Sequence, residues 1–216
     1  MSALLVVHDI GDPKGGSRWS ELVAAWPGAA LAPDLPGHGE TPPPTGASYA
    51  LADAAVYAWR SAEDAGITTD DVVVLGHASA GFAAELLAAG GRASKLMLVD
   101  ALGPPWDTVD EIVADQHRFL REVFADPDAL APPGRVPDPR LAHAFSSIWE
   151  PGFIHDLRSS ISVPVLAVET PATLTPTAER AKRLKDYAGP TEIVEANVPN
   201  AAAVISALRD AGWLQP

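Results

Sequence analysis

The chain contains no cysteine. That removes disulfides, thiolate nucleophiles, CxxC redox chemistry and cysteine-ligated zinc together, and it suits a reducing compartment, so a cytoplasmic location is expected. Basic residues are scarce as well: 15 Lys and Arg stand against 28 Asp and Glu, a formal net charge of -13. Such a surface repels nucleic-acid phosphates and anionic lipid, and the few basic residues form no cluster, so neither nucleic acid nor membrane is an expected partner. Long apolar runs are missing too. Ala3-Leu4-Leu5-Val6-Val7 follows no basic segment and is far shorter than the roughly 18 residues of a membrane span; it reads as a strand. What is present is a globular composition, 47% hydrophobic and 20% charged over 216 residues. One domain spanning residues 1–216 with a real core is the expectation.

Short β-branched or apolar runs alternate with longer Ala- and Leu-rich charged segments, the pattern of a mostly parallel sheet covered by helices on both faces. Strands are read at Ala3 to His8, Ala29 to Asp34, Asp71 to Gly76, Lys95 to Asp100 and Val163 to Glu169. A sixth, weaker one runs from Thr191 to Ala196, with Glu195 hinting at an edge or a strand end. The continuous runs Val72 to Leu75 and Leu96 to Val99 suit central strands buried on both faces. Helices are read at Arg18 to Ala25, Ala47 to Ala65, Ser79 to Ala89, Thr177 to Tyr187 and Asn200 to Ala211. Between Asp100 and Val163 the alternation stops for about 60 residues, too long for a simple βα loop, and residues 103–150 are read as a helical lid. Pro42-Pro43-Pro44 reads as a rigid surface turn.

Strand Asp71 to Leu75 leads into Gly76-His77-Ala78-Ser79-Ala80-Gly81-Phe82 and then a helix, the context of a nucleophile elbow. With it stand Val6-Val7-His8-Asp9 after the first strand, Asp34-Leu35-Pro36-Gly37-His38-Gly39 after the second, Leu98-Val99-Asp100-Ala101-Leu102-Gly103 and Val163-Pro164-Val165-Leu166-Ala167-Val168. In this order the motifs resemble the α/β-hydrolase superfamily over nearly the whole chain. The resemblance implies an α/β-hydrolase-like sheet of about six strands that opens at the family's third strand.

Serine-hydrolase chemistry needs a nucleophile on the elbow, a histidine to take its proton and a carboxylate to orient that histidine. The resemblance puts Ala78 on the serine, Ala172, counted back from Pro176, on the acid, and Asn200 on the histidine. A methyl group cannot attack a carbonyl, and no histidine follows His155. Three separate replacements favour a natural departure from hydrolase chemistry; losing a full triad costs on the order of 10⁶ in turnover. Asp9 stands where the family carries a small glycine after His8, and a carboxylate there would repel a developing oxyanion. Asp9 reads either as the cap of a turn beside Gly11 and Asp12 or as an acid or base with a raised pKa.

Ser79 is a nucleophile only if the elbow shifts by one residue, which would put bulky His77 in the tight turn; as the N-cap of the following helix it fits better. His77 reads as a packed, hydrogen-bonded neighbour of the elbow, and His8 and His38 as turn-fixing residues. Asp100 and Glu169 end central strands and read as locally hydrogen-bonded groups or pocket walls. His117, His143 and His155 show no metal-ligand spacing, so no metal and no cofactor are expected. Trp106, Phe119, Phe124, Phe145 and Trp149 would line a pocket or pack the lid.

The function that follows is a lid-covered pocket for a small apolar or carbonyl-bearing molecule, bound or transformed without a serine nucleophile. Its walls would be His8, Asp9, Ile10, His77, Ala78, Ser79, Asp100, Trp106 and Glu169. A hydrolase using Ser79 with His117 or His143, and a protein-binding pseudoenzyme, remain as alternatives. A homodimer is compatible with the sequence.

Overall fold

The computed structural model describes residues 2–10, 12, 14–45, 50–67, 70–101, 151–170, 178, 181–197 and 200–214. The lid reading at 103–150, with Trp106, His117 and His143, lies outside them, as does Ala172.

Six parallel strands form one sheet: β1 (Ala3–Val7), β2 (Ala30–Leu31), β3 (Val72–His77), β4 (Lys95–Val99), β5 (Val165–Glu169) and β6 (Thr191–Glu195). Their order is β2-β1-β3-β4-β5-β6. The apolar runs of β3 and β4 therefore occupy the middle of the sheet, as their unbroken hydrophobicity requires when both faces are covered. β6 is an edge strand and its residues are half-buried or exposed. β2 is much shorter than the run Ala29 to Asp34, because Pro33 lacks the N–H that pairing needs.

The helices are α1 (Ser20–Ala25), α2 (Leu51–Asp64), α3 (Gly81–Ala89), α4 (Pro151–Ser160) and α5 (Ala201–Asp210). Alternate strand residues feed two cores, as the twofold strand period dictates. Leu5, Val7, Val74 and Leu98 meet Ala54, Ala58, Ala83 and Ala84 of α2 and α3 on one face. Leu4, Val6, Leu75, Met97 and Val168 meet Leu22, Val204 and Leu208 of α1 and α5 on the other. Small alanines on α2 and α3 let both helices lie close to the sheet, so these faces gain contact without bulky side chains.

Several expected boundaries change. The segment before α1 is a 3-10 helix, Gly15–Trp19, and another 3-10 helix, Ala181–Asp186, occupies the carboxyl half of the helix read at Thr177 to Tyr187. Helix α4 was not expected at all. It buries Ile154 and Arg158, one turn apart on one face. No helix among the described residues is long and apolar enough to cross a membrane.

Candidate functional site

The strand register sets the candidate site. Val7 pairs with Gly76, His77 with Val99 and Val99 with Val168, so β1, β3, β4 and β5 end level with one another. His8, Asp9, Ala78, Asp100 and Glu169 thus gather along the carboxyl edge, where open α/β sheets place their ligand sites.

At the centre of that edge β3 turns sharply into α3. A Cβ on Gly76 would lie 2.6 Å from the Cα of Gly81, and one on Gly81 would lie 2.4 Å from the Cβ of Ala101. Strand, helix and the loop after β4 touch through these two glycines. Between them Ala78 takes a left-handed φ of 47°, a conformation that costs an L-residue roughly 1–2 kcal/mol. This is the strained strand-to-helix turn that holds a nucleophile out from the sheet, and in this chain it holds a methyl group.

The carboxylate of Asp9 reaches across to the elbow. Its Oδ1 accepts from the backbone N–H of Ser79 at 3.1 Å and from the Ser79 hydroxyl at 2.5 Å. The Ser79 hydroxyl in turn accepts from the N–H of Ile10 at 3.1 Å. On this fold, the N–H after the elbow residue and an N–H from the loop after the first motif strand are the donors that face a substrate oxyanion. Here Ser79 N–H and Ile10 N–H point at the protein's own oxygens. Oδ2 of Asp9 has no hydrogen-bond partner among the described residues. Part of Asp9 remains accessible, yet protein surrounds the carboxyl, and this burial pushes its pKa from 3.8 up to about 6 against the opposing hydrogen bonds from Ser79.

Two readings change accordingly. Ser79 does not cap α3: the helix has no side-chain cap, and the hydroxyl is engaged with Asp9 and Ile10. The Asp9 carboxylate does not cap the turn beside Gly11 and Asp12 either; its backbone carbonyl accepts from Asp12 N–H, while the side chain turns to Ser79.

The base of the site is built from histidines and one aspartate. His8 accepts from Leu35 N–H through Nε2 at 2.9 Å, which leaves Nδ1 protonated to donate to the carbonyl of Asp9 at 2.8 Å. That pairing ties the end of β1 to the loop after β2. Asp34 accepts from Gly16 N–H at 2.8 Å, and a Cβ on Gly15 or Gly39 would run into its carboxylate. The Asp-x-x-Gly-His-Gly run is thereby a packing device, with His38 edge-on to His8 at 4.8 Å.

His77 is buried edge-on to Trp19, and among the described residues its Nδ1 has no hydrogen-bond partner. Burial, then the nearby Arg18 cation, lowers its pKa to about 4; burial, then His38, does the same to His8. Both rings are neutral at pH 7.

Asp100, at the end of β4, also has a left-handed φ, 51°. Its two oxygens accept from the N–H and the hydroxyl of Thr170, at 2.7 and 2.8 Å. Glu169 is buried at the end of β5. Asn200 lies at the start of α5, where its Oδ1 accepts from Ala203 N–H at 2.9 Å. That is an N-cap, and it accounts for an asparagine there without any catalytic role. No group of three His, Asp or Glu side chains among the described residues is arranged to hold a metal ion.

Sequence reasoning missed the partnership of Asp9 with Ser79, although both residues were singled out. It also missed Glu85, on the inner face of α3, which receives Arg158 Nε–H at 2.8 Å and the Tyr187 hydroxyl. A lone Glu in the Ala-rich α3 was the available signal.

Residues 4–211 match the model of the alpha/beta hydrolase family. Among solved structures, an esterase from Thermogutta terrifontis with malate bound superposes with a TM-score of 0.72 at 17% identity, covering 100% of this chain and 90% of that one. An enol-lactonase from Burkholderia xenovorans LB400 gives 0.61 at 15% identity, with coverages of 100% and 92%. A bottromycin epimerase in complex with bottromycin A2 gives 0.61 at 21% identity, with coverages of 99% and 90%. A search of curated proteins finds no match. At such identities the likeness establishes the fold, which hosts many chemistries.

Proposed function

The chain belongs to the alpha/beta hydrolase family, and from that premise we propose that it binds or transforms a small apolar or carbonyl-bearing molecule at this edge without a serine nucleophile. One observation carries the reading: the left-handed elbow position is occupied by Ala78. With a methyl group there, no acyl-enzyme can form on that residue. The other positions matched to a triad, Ala172 and Asn200, offer neither carboxylate nor imidazole. The Asp9 carboxylate beside the elbow N–H donors opposes a tetrahedral oxyanion by like-charge repulsion. The epimerase among the structural neighbours is consistent with this reading, because that protein's named activity is not hydrolysis.

A second reading has one observation of its own. The short contact between the Ser79 hydroxyl and Asp9 resembles a nucleophile beside a base, so a Ser79 hydrolase of esters, amides or thioesters remains in play. A panel of p-nitrophenyl esters from acetate to octanoate, with a fluorophosphonate probe and Ser79→Ala as control, decides between them. The proposed function expects background hydrolysis and no labelling. Labelling or turnover that disappears in Ser79→Ala would establish the second reading instead.

A further inference from the structure

We propose that Asp9 is the proton-transferring group of this site, removing and returning, through Oδ2, a proton on the carbon next to a carbonyl in a small substrate. The inference rests on the non-hydrolytic reading above and names the chemistry of the same site.

The polar groups along the carboxyl edge differ in how far their hydrogen-bonding capacity is already used. His8 uses both ring nitrogens, one on Leu35 and one on the carbonyl of Asp9. Asp100 gives each oxygen to Thr170. His77 is packed against Trp19 and buried. Glu169 is wholly buried at the end of β5, whereas Asp9 is partly accessible: its Oδ1 is fixed by two donors from Ser79, and its Oδ2 has no hydrogen bond among the described residues. A carboxylate clamped through one oxygen presents the other with a defined direction, which is what a general base needs. It stands next to a residue, Ala78, that offers a bound carbonyl compound no covalent partner.

The step balances within the site. Oδ2 takes the proton from the carbon and the C–H electron pair becomes the carbon–carbon double bond of an enolate, leaving neutral Asp9 and a negative substrate oxygen. As Asp9 loses its charge, Ser79 N–H and O–H lose their ionic acceptor and become donors to the enolate oxygen. Return of the proton from Asp9 to the same carbon restores the carbonyl compound, with or without inversion. No oxidant, nucleophile or second substrate is consumed. Burial raises the pKa of Asp9 towards neutrality, with Asp12 reinforcing and Ser79 and Arg18 opposing, so the base is stronger than an ordinary carboxylate.

The test uses the full chain in D₂O with two probes, phenylacetone and the N-acetylcysteamine thioester of (S)-2-phenylpropanoic acid. Proton NMR follows loss of the α-proton signal, and saturation-transfer difference follows binding. The expected result is exchange above the buffer rate for at least one probe, falling on the order of 10²-fold in Asp9→Asn while binding persists. In wild type the exchange rate should also fall as pH drops through about 6, a readout that does not depend on the variant folding. Binding without exchange, or equal exchange in Asp9→Asn, overturns the role of Asp9 and leaves the non-hydrolytic reading standing. Absence of both binding and exchange overturns the two together. Thioester cleavage lost in Ser79→Ala also overturns both, in favour of a serine hydrolase.

Discussion

Arg158 on α4 donates its Nε–H to Oε1 of Glu85 on α3 at 2.8 Å, with both side chains buried. The Tyr187 hydroxyl donates to the same oxygen. This cluster fastens the helix that resumes the described chain at residue 151 to the helix of the elbow. Removing one member of a buried ion pair strands the other charge, which costs about 3–5 kcal/mol, whereas removing both is far milder. Arg158→Met should therefore lower the urea midpoint sharply, and Glu85→Gln with Arg158→Met should recover much of the loss. Equal midpoints for the single and double variants would refute the coupling.

Restoring a hydroxyl at the elbow should not restore hydrolysis. In Ala78→Ser the new side chain would be held on the left-handed turn, but on the proposed reading Ala172 and Asn200 supply neither acid nor base, and Asp9 still faces the donors of Ser79. Removing the base or the whole triad costs a hydrolase on the order of 10⁶ in turnover. Turnover of p-nitrophenyl butyrate by this variant is expected at the wild-type background.

Asp9 makes the protein less stable as pH rises, the reverse of the usual carboxylate. Its folded pKa lies above the unfolded one, about 6 against 3.8, so between those values the native state binds more protons and stability is lost with increasing pH. Asp9→Asn, which keeps the acceptor for Ser79, should match wild type near pH 4 and exceed it by up to about 3 kcal/mol at pH 8. His8 and His77 act in the opposite sense. Their folded values of about 4 lie below 6.5, so stability falls as pH drops below 6.5 in both proteins. The difference between the two urea-unfolding curves across pH isolates Asp9.

The contact between Gly81 and Ala101 predicts a pair of glycine variants of opposite sign. A Cβ at Gly81 meets the Ala101 Cβ at 2.4 Å and its carbonyl oxygen at 3.1 Å, whereas Gly152 in α4 has nothing within 4 Å. Gly81→Ala should cost roughly 1–3 kcal/mol by overpacking. Gly152→Ala should gain up to about 1 kcal/mol from helix propensity. Thermal unfolding of the two variants is the measurement.

The sheet was legible in the sequence because its strands carry continuous apolar runs between turn residues, and Val72 to Leu75 and Leu96 to Val99 could only be central. The elbow was legible because two glycines flank a tight strand-to-helix turn. Helix α4 was not: Ile154 and Arg158 share a buried face, and an inward arginine reads as polar until Glu85 is known to meet it. Nor was the engagement of Ser79, since a serine opening a helix carries the same local signal whether it caps the helix or turns to a neighbour. What decides is Asp9, which stands 70 positions away and arrives through the pairing of Val7 with Gly76. Local pattern reports on elements, and the site is made of contacts between elements.

The turn at Ala78 also offers an experimental handle. Its direction is set by the backbone, through the left-handed φ and the close approaches at Gly76 and Gly81. Since the chain has no cysteine, Ala78→Cys would be its sole thiol, set at the middle of the carboxyl edge. A fluorophore or spin label attached there would report on whatever arrives at that edge, in a protein that needs no background thiols removed.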